Sequence, residues 1–265
     1  MLRGASAEAL ADLTAQVGRS LTLADTATLG RELFGAADLL RRDAALRRAL
    51  TDNSVEGESR SGLARTIFGS AVGQAALDLV VAAAGRRWRV SSDLPSALER
   101  LAVVATVRSA GKDGKRLGDE LFAIRQLIDA NPELRNALSD QTRSAADRTG
   151  LLSGLLKDRT LPATGVLVGQ AVGRGRVDTA LREYLDIAAE ALDEAVATVH
   201  TARELTDDEA QRLASSLSTQ YDTTVQLHVV LDPSLIGGLR VEIGDDVIDG
   251  TVVSRLDEAR RRLAG

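Results

Sequence analysis

Two glycine-containing segments carry the residue types that bind phosphate in nucleotide-binding proteins. A phosphate-binding loop requires the spacing G-x-x-x-x-G-K-[ST] between a strand and a helix. Residues 111–116 (GKDGKR) have these letters at the wrong spacing and lie between two predicted helices. Residues 169–175 contain three glycines, but this segment closes a predicted helix and follows no strand, so it does not fit a dinucleotide-binding turn. We therefore predict a solvated linker and a helix end, and no cofactor.

Histidines and clustered carboxylates are the next candidates for chemistry. His200 and His228 are the two histidines of the sequence, both on predicted strands, and no third residue stands near them at metal-ligand spacing. The acidic run 207–209 lies in the first turn of a predicted helix, where carboxylates stabilise the helix dipole. The aspartates within 245–249 offer oxygen ligands for a hard cation, but a hairpin turn and a helix cap explain them more simply. No G-x-S-x-G turn is present, so we predict no catalytic residue and no metal site.

Composition and charge describe an acidic, helical protein. The 265 residues are 44% hydrophobic but only 2% aromatic, and the net charge is −5. Helices packed through small residues fit this composition better than a cofactor pocket lined by rings. The basic segment 86–89 (RRWR) would suit nucleic acid, but in an acidic chain we favour a cationic helix end with a packed indole. We therefore predict no nucleic-acid partner.

The sequence also bears on the compartment. It contains no cysteine, which excludes disulfides and fits a reducing environment. Glu8 and Asp12 interrupt the N-terminal segment, so we predict no signal peptide. The longest apolar run, near residues 75–85, contains Asp78 and is too short to span a bilayer. We expect a soluble protein that can still belong to a membrane complex.

An internal repeat relates the first third of the chain to the middle. Residues 32–86 align with residues 120–174 at an offset of 88 (120 − 32), with 18 identities in order. Glu32-Leu33-Phe34, for example, recurs as Glu120-Leu121-Phe122. After a slip of one residue, Leu94 and Leu98 align with Leu181 and Leu185. A fixed period of this kind indicates a duplicated helical unit.

Each copy has the same predicted series of helices. A helix at about 5–18 comes first in the chain. The helices predicted for the first copy are about 26–42, a short helix before the loop 51–59, one through 63–68, one ending at Gly85, and one at 91–108. Those predicted for the second copy are about 113–130, a short helix with Asn131 as cap and Pro132 as first residue, one through 151–156, one ending at Gly173, and a long one at 178–200.

The pattern changes to strand-like alternation near residue 197. The predicted elements are a strand at Val199 and Thr201, a helix that opens with a capping box at Thr206 and runs through Tyr221, a strand at 225–231 with one buried face, a hairpin at 239–248, and a closing helix from Val252 to Leu263 capped by Asp249 or Thr251. We therefore predict a mainly α fold with a duplicated N-terminal helical bundle and a small C-terminal α/β domain. The predicted domains are 1–108, 109–196 and 197–265.

The stretch 232–256, DPSLIGGLRVEIGDDVIDGTVVSRL, strongly resembles the C-terminal signature of ATP synthase delta subunits, the family called oligomycin-sensitivity-conferring protein in mitochondria. Thr251 stands where the family usually has serine. We interpret Gly237-Gly238 and the Asp249-Gly250 turn of the signature as positions that set backbone geometry. The residues that carry the resemblance are Asp232, Pro233, Leu235, Ile236, Gly237, Gly238, Gly244, Asp245, Ile248, Asp249, Gly250, Arg255 and Leu256.

The resemblance implies a non-catalytic peripheral-stalk (stator) subunit of a proton-translocating F-type ATP synthase at the cytoplasmic face of a bacterial plasma membrane. The implied partners are the N-terminal helices of the alpha subunits, held by a helical bundle, and the C-terminal helix of the b subunit, held by the α/β domain. The Ala-rich segment 71–84 is a candidate floor for a helix-binding groove. The duplicated bundle resembles the long form found in actinobacteria, and a chain that begins at Met1 resembles its stand-alone version.

Two questions stay open at this level. Either bundle can hold the alpha-subunit helix, and we favour the second because it adjoins the recognised C-terminal domain. Rival functions are a helical-repeat adaptor protein of another complex and an enzyme with its site in the C-terminal domain. Binding of alpha and b peptides distinguishes a stator subunit from an adaptor of another complex. A turnover assay on the isolated protein distinguishes it from an enzyme.

Overall fold

The computed structural model describes residues 2–17, 21–140, 142–156, 159–192, 194–221, 224–243 and 246–251. The chain forms two compact units, Met1–Ala188 and Ala189–Gly265. The first is helical, and the second contains a helix and a small mixed sheet. This architecture confirms the predicted fold class.

The first unit is built from eleven described helices, the last of which ends just beyond it. They are α1 Ala5–Thr14, α2 Leu23–Arg42, α3 Ala44–Thr51, α4 Gly57–Phe68, α5 Gln74–Gly85, α6 Asp93–Ser109, α7 Gly114–Ala130, α8 Pro132–Ser139, α9 Ala145–Leu156, α10 Pro162–Gly173 and α11 Val177–Ala191.

This series confirms the helices predicted for the two copies, with three corrections. The first helix ends at Thr14, and turns follow it up to residue 17. Asn131 stands before α8, but its side chain donates to the Leu127 carbonyl instead of capping α8. The long helix predicted over 178–200 is wrong, because α11 ends at Ala191 and a strand begins at Glu194. Helical spacing of apolar residues continues past Ala191 by coincidence, and strand pairing on both sides satisfies the backbone there instead.

Helix α6 lies at the centre of the first unit. Twelve of its 17 residues are buried, as expected of a helix that is covered on all sides. Helix α2 crosses it so closely that a Cβ at Gly30 would lie 2.5 Å from the Thr106 hydroxyl. The 88-residue offset places the first residue of α1, Ala5, at Asp93, the first residue of α6. The slipped alignment places Leu98 of α6 at Leu185 of α11, and both are buried. Helix α6 is therefore the last helix of the first copy and the first helix of the second.

The described residues of the second unit form four strands and one helix, in the order β1 Glu194–Thr201, α12 Asp207–Tyr221, β2 Thr224–Leu231, β3 Leu239–Ile243 and β4 Asp246–Asp249. The strand order in the sheet is β2-β1-β3-β4, with β1 and β2 parallel and the other pairs antiparallel. The core beneath α12 contains Ala197, Val199, Leu217, Val225, Val241 and Ile243.

Local contacts in the second unit confirm the predicted capping box. The Glu209 amide donates to the Thr206 hydroxyl at 3.3 Å, and the Thr206 amide donates to the Glu209 carboxylate at 3.0 Å. The strands predicted to flank the hairpin turn are also present and paired. The burial of β2 differs from the predicted alternation, because His228 is only 4% exposed while Leu231, at the end of this edge strand, is 51% exposed. The predicted closing helix lies outside the described residues.

Candidate interaction surfaces

The residues first considered for chemistry have structural contacts. Among the described residues, no group of three or more His, Asp or Glu is placed to hold a metal ion. His200 lies on β1, 3.9 Å from the Glu242 carboxylate on β3. The carboxylate of Asp246 accepts from the Tyr221 hydroxyl at 3.2 Å, and that of Asp249 accepts from the backbone amide two residues later at 2.9 Å. The first bond joins the end of α12 to the start of β4, and the second belongs to the turn after β4.

The two glycine-containing segments and the basic segment also fit their structural interpretations. Residues Gly111–Asp113 form one turn of 3-10 helix between α6 and α7. Gly169 and Gly173 lie within α10, which follows no strand. Trp88 is 1% exposed just after α5, and its indole donates to the Ala83 carbonyl at 2.9 Å. The RRWR segment is therefore a cationic helix end with a packed indole, as predicted.

The signature residues meet at one corner of the second unit. Gly238 has φ 81°, and a Cβ there would lie 2.8 Å from the Thr251 Cα and against the Gly250 carbonyl. The Gly250 amide in turn donates to the Leu239 carbonyl at 3.0 Å. Only glycine combines that backbone conformation with so close an approach. The structure thus brings together two glycines that are twelve positions apart in the signature.

The other signature residues lie around this corner or outside the described part of the chain. The Asp232 carboxylate accepts from the Ser234 hydroxyl at 2.6 Å and from its amide at 3.0 Å, which lowers the pKa of Asp232. Pro233 and Leu235 belong to the same turn, whereas Ile248 and Asp249 lie on β4. Ile236 and Gly237 directly precede Gly238 in the chain. Gly244, Asp245, Arg255 and Leu256 lie outside the described residues.

Ile236 stands beside an open, partly apolar cavity of about 610 Å³ in the second unit. Its side chain is 81% exposed. Leu205, Leu213 and Leu239 line the same cavity, together with Arg203 and Arg212. An exposed isoleucine next to such a cavity is typical of a surface that a partner covers.

The two helical copies share the same internal contacts, which sequence reasoning had not predicted. The Glu32 carboxylate accepts from the Gly73 amide before α5 at 3.1 Å. Its counterpart at the 88-residue offset, Glu120, accepts from the Leu161 amide before α10 at 2.8 Å. A carboxylate from the long helix of each copy therefore caps the start of the helix that ends at Gly85 or Gly173.

The loops after the short helices repeat as well. Asp52 accepts from the amide and hydroxyl of Ser54, and Asp140 does the same with Thr142. These side-chain and backbone bonds lower the pKa of both aspartates. The duplication seen in the sequence is therefore also a duplication of polar contacts.

One buried carboxylate joins the two copies. Glu99 on α6 accepts from the Arg41 guanidinium of α2 and from the Tyr184 hydroxyl of α11. The guanidinium of Arg174, just after α10, lies 3.3 Å from the same carboxylate. Phe34 of α2 and Tyr184 also pack with their ring centres 6.3 Å apart. The network connects four helices, and residues of both copies contribute to it.

Electrostatics in this network follow from burial and charge. Burial raises the pKa of the Tyr184 hydroxyl, and the Glu99 charge raises it further, so this hydroxyl stays a donor. Burial acts to lower the pKa of Arg174, but Glu99 and Glu183 outweigh it, so the net shift is upward. Both groups therefore keep the protonation states that hold Glu99 in place.

A groove opens beside this network between α2, α9 and α10. Its volume is about 1160 Å³. We call it the arginine groove, because four arginines line it together with small residues of α9 and α10. Its lining is Arg31, Asp38, Arg41, Arg42, Ala145, Ala146, Thr149, Gly150, Gly165, Val166, Gly169, Gln170, Gly173 and Arg174.

These features define a class of protein, a duplicated helical scaffold with surfaces for partner segments and an appended α/β unit. None of the described helices is long and apolar enough to cross a membrane. Comparison with known proteins identifies the family. The model of the family "ATP synthase delta (OSCP) subunit" matches residues 101–263, which begin within α6 and include the second copy and the C-terminal unit.

Relatives match over the whole chain, including the first copy. The chain is 53% identical over 268 residues to ATP synthase subunit delta of Nocardioides sp., covering 100% of this chain and 98% of that protein. It is 38% identical over 270 residues to ATP synthase subunit delta of Streptomyces coelicolor, covering 99% and 98%. A chain of the Toxoplasma gondii mitochondrial ATP synthase hexamer aligns with TM-score 0.39 and 20% identity, over 62% of this chain and 95% of that chain.

The chain belongs to the ATP synthase delta (OSCP) subunit family. It is a non-catalytic, peripheral subunit of the membrane-bound ATP synthase complex. This membership confirms the resemblance carried by the signature residues. It argues against the two rival functions, an enzyme and an adaptor of another complex.

Proposed function

We propose that the chain is a stator subunit that links the alpha subunits of the catalytic head to the membrane-anchored b subunit. The link lies at the cytoplasmic face of the plasma membrane, and it holds the head against the torque of the rotor. In this proposal the helical copies, at 1–108 and at 109–196 with α6 shared between them, bind N-terminal helices of alpha subunits. The α/β domain at 197–265 binds the C-terminal helix of b.

The observation that carries this proposal is the continuity of the helical unit across the duplication. Helix α6 belongs to both copies, and Glu99 on it is bonded to Arg41 from the first and Tyr184 from the second. A load applied to one copy therefore passes to the other through a shared helix and buried bonds instead of a flexible linker. A subunit that resists torque requires this property.

The position of the family match supports the assignment of partners. The family model begins within α6 and continues through the second copy into the C-terminal unit, which supports the second copy as the one that corresponds to the single bundle of the family. The exposed Ile236 and the adjacent cavity give that unit a surface for one partner segment. Because apolar grooves bind amphipathic helices, this surface supports the proposal that the unit holds the C-terminal helix of b.

Photo-cross-linking in the assembled ATP synthase tests the proposal. A photoreactive amino acid replaces Ile236 in the C-terminal unit, and in a separate variant it replaces Leu127, an exposed leucine on α7. We expect the first to cross-link to b and the second to an alpha subunit. As a control, the residue is placed at Thr219, an exposed position on α12 away from the cavity. Capture of neither subunit from assembled enzyme would refute the linking role.

A further inference from the structure

The two copies differ at one place where their sequences keep the same residue. In the first copy, Gly85 packs against α4, because a Cβ at Gly85 would lie 2.7 Å from the Ser61 hydroxyl. A Cβ at Gly57 would likewise lie 2.6 Å from the Gly85 carbonyl. The counterpart of Gly85 at the 88-residue offset is Gly173, and a Cβ there would meet nothing within 4 Å. The space in front of this glycine is therefore occupied by α4 in the first copy and, among the described residues, empty in the second.

Gly173 lines the arginine groove, and two further glycines of the groove also have open space in front of them. Cβ atoms added at Gly150 and Gly165 would also meet nothing within 4 Å, and both residues line the groove. Glycine within a helix lowers helix stability relative to alanine. No contact within the described part of the chain requires glycine at these three positions, so the space in front of them is available to another segment.

The geometry of the groove fits a helix. Gly165, Gly169 and Gly173 follow each other at intervals of four along α10 and form a stripe about 12 Å long, at 1.5 Å per residue. Gly165 and Gly173 are open, whereas a Cβ at Gly169 would lie 3.3 Å from the Thr149 Cγ2 on α9, the other small-residue wall of the groove. A stripe of glycines lets the backbone of a second helix approach closely. Arg31 and Arg42 on α2 bound the opposite wall and are eleven residues apart, or about 16 Å. A helical segment of about three turns matches both lengths.

The positive charge of the groove indicates which side chains the bound helix carries on its second face. Four arginines and one aspartate line it, which gives +4 − 1 = +3 in a chain whose net charge is −5. Arg41 and Arg174 are bonded to Glu99 at the edge of the groove, whereas Arg31 and Arg42 reach solvent. Carboxylates on one face of a bound helix would therefore meet guanidinium groups along the α2 wall.

We propose that the arginine groove binds an acidic amphipathic helix from another subunit of the ATP synthase. Its small or apolar face lies on the glycines of α10, and its carboxylates face α2. Because α2 belongs to the first copy and α9 and α10 to the second, this site exists only where the bundle is duplicated. The origin of the helix in the complex rests on the proposed function, whereas the shape and charge of the groove do not.

Cross-linking within the assembled enzyme identifies the occupant. A photoreactive amino acid replaces Gln170, which lines the groove, and in a control variant it replaces Ala82, the counterpart of Gln170 in the first copy. We expect Gln170 to capture a segment of another subunit that carries net negative charge and apolar residues at helical spacing. We expect Ala82 not to capture it. Capture of this chain itself, of a second copy, of a non-acidic segment or of nothing would overturn the proposal.

Binding of the captured segment, as a synthetic peptide, to the full-length chain then tests the chemistry. Gly150→Leu fills the groove, and its matched control is Gly62→Leu, the counterpart in the first copy, which is also open but does not line the groove. We expect Gly150→Leu to weaken binding by about tenfold or more and Gly62→Leu by less than about twofold. Equal effects of the two variants would contradict a steric role for the groove.

Charge reversal provides an independent measurement. The double variant Arg31→Glu, Arg42→Glu should weaken peptide binding by about tenfold or more and flatten its dependence on salt. Arg48→Glu on α3, which lies outside the groove, is the control. Unchanged salt dependence in the double variant would exclude an acidic partner. If the Ile236 cross-link to b persists while these tests fail, the groove proposal is wrong and the stator proposal stands.

Discussion

Removal of the Glu99 carboxylate should destabilise the helical unit more than any exposed charge does. Glu99→Ala leaves Arg41, Arg174 and Tyr184 without their shared acceptor. Breaking a buried ion pair by removing one partner costs about 3–5 kcal/mol. The side chains of Arg41 and Arg174 are 31% and 34% exposed, so water offsets part of this loss. We therefore expect a loss near the lower limit, about 3 kcal/mol.

Urea unfolding measured by tryptophan fluorescence is the appropriate assay. Trp88 is the single tryptophan and is buried in the helical unit, so its emission reports that unit. With an m-value of about 2 kcal/mol/M, a loss of about 3 kcal/mol lowers the urea midpoint by about 1.5 M. The matched control is Glu183→Gln, which removes a half-exposed carboxylate 2.8 Å from the same Arg174. It should cost at most about 1 kcal/mol.

Two results would refute this reasoning. A midpoint for Glu99→Ala within about 0.3 M of the parent would show that the network contributes little to stability. Equal shifts for Glu99→Ala and Glu183→Gln would show that burial of the carboxylate does not decide the effect. A change in the m-value would indicate that the two copies no longer unfold together.

Three further outcomes follow from the second unit and from the repeated cap. Gly238→Ala should lower stability by about 2 kcal/mol or more, because its φ is positive and its Cβ would meet the Gly250 carbonyl, as measured by thermal unfolding. NMR titration should give a Glu209 pKa of about 2, since the Arg203 hydrogen bond and then the backbone amide of the capping box hold it below its usual 4.5. Glu120→Gln should cost about 1–3 kcal/mol, because the carboxylate accepts two donors at the start of α10.

The controls and contrary outcomes differ among these three. Gly35→Ala, on an open face of α2, should not lower the melting temperature, and an equal loss there would remove the conformational argument for Gly238. Because the folded-state pKa of Glu209 is depressed, its contribution is present above about pH 4.5 and disappears as the pH falls towards 2. Arg203→Gln should raise that pKa, and an unchanged value would exclude the ion pair as its cause. Glu133→Gln on exposed α8 is the control for Glu120, and equal losses would contradict the capping role.

The sequence predicted those features that depend on residues close together in the chain or on a repeated pattern. The helices, the capping box at Thr206 and the family signature are of this kind. Where strand pairing competed with helical periodicity, after Ala191, the sequence-based prediction was wrong, because periodicity does not register partners from β2 and β3. The cap at Asn131 failed since its amide bonded the preceding turn instead.

The polar network could not be predicted from sequence. Glu99 is 58 residues from Arg41 and 85 residues from Tyr184, on three different helices. In the sequence of α6, Glu99 stands next to Arg100 between apolar residues, and such a pair of charges looks like part of a solvated face. The repeat itself indicates the shared helix. The residues of α6 align with α1, which opens the first copy, and also with α11, which closes the second copy.

The double membership of α6 also limits how the chain can be shortened. A fragment that starts at residue 93 would retain every helix of the second copy, yet it would strip α2 from α6 and expose the surface around Ala102 and Thr106, where Gly30 now packs. A fragment that stops at residue 109 would instead orphan Glu99 from Tyr184. The sequence contains two copies of the 88-residue repeat, but the helical unit cannot be divided into two fragments that each keep all the contacts of α6.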